Sequence, residues 1–208
     1  PAPEPVRLGR VTSAITVEDA VDAGCTTSQV AGLSQQIIAQ ANCISPGAYE
    51  ELTPLPSNVT LGGAVLPYIQ LPARDALLDA LNDNPSQSMQ INSMLRTVAQ
   101  QYLLYRWYQQ GRCGIGLAAT PGNSNHESGL AIDIQQYSAW RTELESRGFD
   151  WLGASDPVHY DYRGMDAVNQ KGARNLAFQE LWNINHPDDL IDADGIYGPQ
   201  TEARMVQA

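Results

Sequence analysis

Apolar positions along the chain fall into a few clear periods. Over residues 28–41, Val30, Leu33, Ile37 and Ile38 recur at helical spacing behind Thr27 or Ser28 as a cap, which predicts a helix. Residues 1–24, rich in Pro, Val, Thr and Asp, read as an extended lead-in. After the helix, Pro46, Pro54, Pro56, Gly62, Gly63 and Pro67 rule out any long regular element. Ala73, Leu77, Leu78 and Leu81 mark a second helix over 74–81, stopped by Asn82-Asp83-Asn84-Pro85. Met89 and Ile91 alternate with Gln90 and Asn92 as in a short strand. Val98, Tyr102 and Tyr105 then share a helical face over 97–110, with Gly111 as its stop, so Arg96 sits where a strand hands over to a helix. A Gly-, Ala- and Pro-rich loop over 114–123 leads to a strand over 129–134, with Leu130 and Ile132 on one face and Ala131 and Asp133 on the other. Further helices are predicted over 138–147 and 173–183, short strands over 149–152 and 158–162, and a turn over 192–201 that starts a last helix.

A chain of 208 residues with 43% hydrophobic residues can bury one substantial core, which predicts one main domain with a small appendage. No stretch is apolar for long enough to span a bilayer. The net charge of −11, from 23 acidic against 12 basic residues, repels phosphate backbones and anionic membrane surfaces and argues against nucleic acid as a partner. The opening Pro1-Ala2-Pro3-Glu4-Pro5, without a basic-apolar leader, fits a mature secreted product or a trimmed chain equally. Cys25, Cys43 and Cys113 are too few for a disulfide scaffold and form no CxxC pair, so one bridge and one free thiol are expected. A helix over 28–41 holds its ends roughly 20 Å apart, whereas bridged Cα atoms lie within about 7 Å. Cys25 with Cys43 is therefore disfavoured, and Cys113 is expected to pair with one of them.

The chemistry gathers around two of the three histidines. His126 lies seven residues before Asp133, and His159 lies three after Asp156. Two imidazoles and a carboxylate are the donor set that a catalytic zinc takes, with a further position left for water. Each histidine alone reads as an ordinary hydrogen-bonded polar residue; the full pattern reads otherwise. It runs Ser124-x-His126-x-x-Gly129-x-Ala131-x-Asp133, followed by Asp156-x-x-His159-x-Asp161-Tyr162. This resembles the zinc D-Ala-D-Ala carboxypeptidases and related DD-peptidases, a group that includes the vancomycin-resistance peptidases and shares its fold with lysostaphin-like enzymes and the hedgehog signalling domain. Upstream, Ile91 to Thr97 is similar to that family's Ser-Gly-Tyr-Arg-Ser segment, with Gln101 where its following glutamine falls.

The resemblance covers residues 71–162 and implies zinc ligands His126, Asp133 and His159. It also implies Asp156 as general base, Arg96 on the substrate carbonyl or carboxylate, and Ser124 and Gln101 as substrate-binding residues. Two departures stand out: Asp156-Pro157-Val158 replaces the family's Glu and the Trp before its second His, and Met94-Leu95 replaces Gly-Tyr beside Arg96. Read without the resemblance, Arg96 is a helix-start arginine and Ser124 a turn residue. Tyr102, Tyr105, Trp107 and Tyr108 read as packing residues, and His186 carries no role.

In the tail, an EF-hand loop centred on Gly195 would need acidic ligands where Leu190 and Thr201 stand, so calcium is rejected there. Ala177-Phe178-Gln179 together with residues 194–201 instead resembles the helical peptidoglycan-binding repeat of bacterial wall hydrolases. The expected organisation is an N-terminal lead-in and helix over 1–70 that form part of the catalytic unit, a zinc peptidase core over 71–165 and a short peptidoglycan-binding-like helical segment over 170–208 packed on that core. The expected class is α+β, with a small antiparallel sheet carrying the zinc site between helices. The expected function is hydrolysis at D-Ala in peptidoglycan stem peptides through a metal-activated water, as a D-Ala-D-Ala carboxypeptidase or a DD-endopeptidase, by a monomeric secreted, periplasmic or cell-envelope protein of bacteria. Cleavage of another wall bond, such as L-Ala to D-Glu, and a non-catalytic zinc-stabilised wall-binding module are the competing readings.

Overall fold

A computed structural model describes residues 15–208. It begins with α1 (Val17–Ala23), where an extended lead-in is predicted. Its signal was present in the sequence: Thr16 caps the helix and exchanges hydrogen bonds with Asp19 in a capping box, while Val17, Ala20 and Val21 turn inward. The rest of that lead-in, residues 1–14, lies outside the described residues. A 3-10 turn (Thr27–Val30) then runs into α2 (Ala31–Ile44). The Pro- and Gly-rich piece yields only β1 (Glu50–Glu51), β2 (Val59–Leu61) and β3 (Tyr68–Ile69). After it come α3 (Leu71–Asp83), β4 (Met89–Ser93) and α4 (Val98–Gln109). The next elements are a 3-10 turn (Asn125–Ser128), β5 (Ala131–Ile134), α5 (Tyr137–Ser146), β6 (Phe149–Trp151) and β7 (His159–Tyr162). Two helices close the chain, α6 (Lys171–Asn185) and α7 (Pro199–Met205).

The fold is α+β, and its main sheet has the order β2-β4-β5-β7-β6. The sheet is mixed, because β2 joins β4 in parallel at one edge while β4, β5, β7 and β6 pair antiparallel. Side chains alternate across it. Met89, Ile91, Ile132, Ile134 and Tyr160 face a core completed by Leu77, Leu81, Trp140 and Leu144 of α3 and α5. Asp133 and His159 point away from that core and are direct cross-strand partners, and Ala131 opposite Asp161 is the next such pair. The register therefore places the two proposed ligands on neighbouring strands, where opposing Cβ atoms lie about 5 Å apart.

A second core joins α1, α2, α4, α6 and α7. Its centre is Trp107, fully buried, whose indole N–H donates to the Val21 carbonyl at 2.8 Å. Truncating such a residue typically costs about 3–5 kcal/mol. The same contact brings the end of α4 against the end of α1, where Cys25 and Cys113 form a disulfide with Cα atoms 5.3 Å apart. Cys43 is the free thiol, exposed near the end of α2.

Candidate active site

His126 is placed by a backbone conformation that its own sequence dictates. The 3-10 turn carrying it ends at Gly129, whose φ of 66° is the left-handed value that glycine adopts without penalty. A Cβ there would meet the Tyr49 ring at 2.5 Å, so glycine is required on packing grounds as well. Tyr49 in turn lies under the fully buried guanidinium of Arg174, 3.2 Å from its ring centroid, so α6 backs the turn from behind. Glu127 is also fully buried and accepts from the Gly122 and Ser124 amides, at 2.9 and 3.0 Å. Burial raises its pKa to about 7, against the opposing pull of those two N–H groups. Its part is to fold residues 122–124 so that Ser124 faces the cleft.

Three donor atoms converge beside this turn. His126 Nε2 lies 3.2 Å from Asp133 Oδ1 and 3.2 Å from His159 Nδ1, and His159 Nδ1 lies 3.0 Å from Asp133 Oδ1. The far nitrogen of each imidazole has its own acceptor. His126 Nδ1 donates to the Met94 carbonyl at 2.7 Å, and His159 Nε2 donates to Asp161 Oδ1 at 2.9 Å. With those protons fixed outward, two imidazole lone pairs and a carboxylate face one another, an arrangement that needs a cation or a proton between them. Metal–ligand bonds of about 2.0–2.1 Å at tetrahedral angles separate ligand atoms by about 3.3 Å. The observed triangle is close to that, and His126, Asp133 and His159 can hold a metal ion.

Electrostatics follow the same geometry. His126 is pulled below the usual histidine range by burial and by Arg96. Burial also opposes a charge on His159, but hydrogen bonds to Asp133 and Asp161 and their negative charges outweigh it and raise the pKa to about 9. The metal-free protein therefore carries the compensating proton on His159. Burial pushes the Asp133 carboxyl up, yet His126, His159 and Arg96 together hold it well below the usual range. Asp161 is depressed too, because bonds from His159 and Asn125 overcome its burial.

Most of the residues singled out in the sequence meet in one cleft of about 320 Å³, lined by Arg96, Ser124, His126, Asp133, Asp156 and His159 among others. Arg96 donates to Asp133 Oδ2 at 2.8 Å and to Ser93 Oγ at 3.1 Å. Asp156 lies half-buried in the turn between β6 and β7, its carbonyl accepting from the His159 amide at 3.2 Å. Gln101 stands apart from this group. It is wholly buried, accepts from Arg96 at 3.4 Å and donates to the Ala119 carbonyl at 2.7 Å, so its contacts are with Arg96 and the loop rather than with the cleft. The residues without a role in the sequence reading are Asp161, Asn125 and Glu127. Asp161 was accessible: two positions after His159 on a strand, it shares the same face.

Comparison with known proteins adds the following. Residues 70–164 match a family model described as VanY, D-alanyl-D-alanine carboxypeptidase. No curated protein sequence matches the chain. Among solved structures, one similar chain is a mutant of the vancomycin resistance D,D-pentapeptidase VanY, from a VanB-type resistance cassette, in complex with Zn(II). It shares 18% identity at a TM-score of 0.43, over 62% of this chain and 83% of that one. VanYB in complex with D-alanine-D-alanine shares 20% identity at a TM-score of 0.40, over 61% and 88%. The LdcB LD-carboxypeptidase shares 21% at 0.38, over 62% and 67%. The segment matched by the family model runs from the start of α3 past β7 and holds Arg96, Ser124, His126, Asp133, Asp156 and His159, so the part of the chain that carries the cleft is similar to the VanY-type D-alanyl-D-alanine carboxypeptidases.

Proposed function

We propose that this protein is a zinc-dependent peptidase that hydrolyses peptidoglycan stem peptides at D-Ala, acting outside the cytoplasm at the bacterial cell envelope. The observation that carries the zinc assignment is the convergence of His126 Nε2, His159 Nδ1 and Asp133 Oδ1 with both outer imidazole nitrogens already committed. His126, Asp133 and His159 are the three protein ligands, and Asp161 fixes the ring of His159 as the carboxylate behind a metal-bound histidine does. When bound, zinc supplies Lewis acidity to the scissile carbonyl and to a water.

The remaining work falls to side chains of the cleft. Asp156 takes a proton from the attacking water and returns it to the leaving amine. Being one methylene shorter than the glutamate of the resemblance, it relies on its turn between β6 and β7 to bring it to the cleft. Arg96 offers the guanidinium donors not engaged by Ser93, Gln101 and Asp133 to the carbonyl oxygen or carboxylate of the peptide. Gln101 steadies Arg96, and Ser124 hydrogen-bonds the substrate backbone. In this reading residues 71–165 carry the chemistry, while 1–70 and the helical segment 170–208 support it.

The test is turnover of a stem-peptide analogue ending in D-Ala-D-Ala by the purified protein. Excess chelator is expected to stop release of D-Ala and zinc to restore it, while Asp156→Ala is expected to lower kcat by about 100-fold or more with zinc still bound. Full activity in chelator removes the metal from the mechanism, and unchanged turnover in the variant removes Asp156 as base.

A further inference from the structure

The tail that resembles a peptidoglycan-binding repeat turns its signature residues inward. Gln179 of α6, almost completely buried, gathers the turn that precedes α7. Its Oε1 accepts from the Gly195 amide at 2.8 Å, and its Nε2 lies 3.0 Å from each of three acceptors, Asp194 Oδ1, the Ile196 carbonyl oxygen and Thr201 Oγ1. One helical turn earlier, Asn175 donates to the Gly195 carbonyl at 3.1 Å. Gly195 has a φ of 75°, and a Cβ there would stand 2.9 Å from the Gly172 carbonyl oxygen, so the turn is pressed against the first residues of α6.

The far side of this turn meets the loop that leads into the cleft. Gly122 has a φ of 84°, and a Cβ on it would stand 2.8 Å from Asn175 Nδ2 and 3.1 Å from Tyr197 Cβ. The backbone just before Ser124 therefore fits directly onto Asn175 and Tyr197. The Gly122 and Ser124 amides are held by the same Glu127 carboxylate, so a shift at one is carried to the other. His126 has separate supports: its ring is fixed by the Met94 carbonyl, and its own carbonyl accepts from the Arg96 amide at 3.2 Å. Asn175 and Tyr197 both lie outside the segment 70–164 matched by the family model. Tyr197 packs against the second core, and its hydroxyl is buried with no hydrogen-bond partner among the described residues. What it offers the loop is the bulk of its ring.

We propose that Tyr197 and Asn175 are positioning residues for the cleft: the repeat-like turn braces Gly122 and, through Glu127, sets where Ser124 meets the substrate. The tyrosine of the repeat motif is thereby committed to the peptidase site and not to the wall. This rests on the peptidase reading given above.

The experiment measures kcat, KM and zinc affinity with a soluble peptide ending in D-Ala-D-Ala, so that attachment to the wall plays no part. Ser124→Ala is the reference and is expected to raise KM about 3–10-fold, the worth of one hydrogen bond to substrate. Tyr197→Leu and Asn175→Ala are each expected to raise KM by a similar factor, with zinc affinity within about twofold of wild type. Tyr197→Phe keeps the ring and should match wild type. Tyr197→Leu combined with Ser124→Ala should raise KM no further than either alone, because both act on one contact. KM does not depend on how much of a preparation is folded, and Asn175→Ala serves where Tyr197→Leu fails to fold. In an active wild type, KM unmoved by Ser124→Ala or by both tail variants overturns the brace while leaving the peptidase reading in place. So does a loss of zinc affinity of about tenfold or more in the tail variants, which would mean that the whole turn had moved. A zinc-loaded wild type that does not cleave the peptide overturns both.

Discussion

Replacing Asp161 by asparagine changes one charge at a fixed distance from the proposed zinc site. Asp161 is 4% exposed, accepts from His159 Nε2 at 2.9 Å and is held by the Asn125 amide at 2.9 Å. An asparagine there can still turn its carbonyl oxygen to His159, so the bond survives but loses its ionic component. A hydrogen bond to a charged group contributes about 1.5–3 kcal/mol and a neutral one about 0.5–1.5. The difference, about 1–1.5 kcal/mol, is roughly a tenfold loss of zinc affinity, at the lower end of what such outer carboxylates contribute. Asp161→Ala removes the acceptor as well and leaves a buried N–H unpaired, which adds about 1–3 kcal/mol and brings the loss to the order of 100-fold. The assay is competition for zinc between the protein and a chelator of known affinity, at pH 7.5 and fixed salt. Affinity unchanged in both variants would refute the argument that His159 is oriented through Nε2, and with it the assignment of Nδ1 as its metal-binding atom.

Two further outcomes follow from the structure. The Cys25–Cys113 bridge closes a loop with a sequence separation of 88, for which the chain-entropy relation gives about 4.6 kcal/mol. Cys25→Ser with Cys113→Ser is expected to lose about 2–5 kcal/mol in urea unfolding and roughly 10 °C of Tm, and a loss under about 1 kcal/mol contradicts this. The third concerns pH. With its pKa raised to about 9 in the metal-free protein, His159 stabilises the fold fully below its unfolded value of 6.5, and that contribution is lost as pH rises through 9. Zinc must displace that proton, so affinity should climb up to tenfold per pH unit between about 6.5 and 9 with release of about one proton. Calorimetry in buffers of different ionisation heat measures the proton, and an affinity flat across this window rules the protonated state out.

Apart from α1, which was read as extended, the helices and the strands of the site were legible because both rest on local periodicity. The alternation around Asp133 is a case in point: Ile132 and Ile134 entered the core, and Asp133 the opposite face. What was not legible depends on contacts distant in sequence. The parallel pairing of β2 with β4 involves a three-residue strand in a proline-rich stretch, too short to show a period. Helix length argued against Cys25 with Cys43, yet the choice of Cys25 for Cys113 follows from Trp107 docking on Val21, which no spacing encodes. The burial of Gln101 behind Arg96 likewise arises from helix packing, since a helix-start glutamine is equally compatible with an open cleft. The 3-10 turn over His126 was readable only as a glycine-ended turn; its backing by Tyr49 and Arg174 spans 125 positions of sequence.

The second core also bears on what part of this chain is a heritable unit. Helix α4 belongs to the family segment, yet Val98, Tyr102, Leu103 and Trp107 bury themselves against α1, α2 and α6, which do not. Cut back to residues 70–164, the chain would present a continuous apolar stripe to water, the kind of surface that drives self-association. Any relative with the same catalytic segment but different flanks must cover that stripe in its own way. The flanks can therefore diverge in sequence only as far as they keep α4 dry, which ties their evolution to a helix far more than to the chemistry it helps to frame.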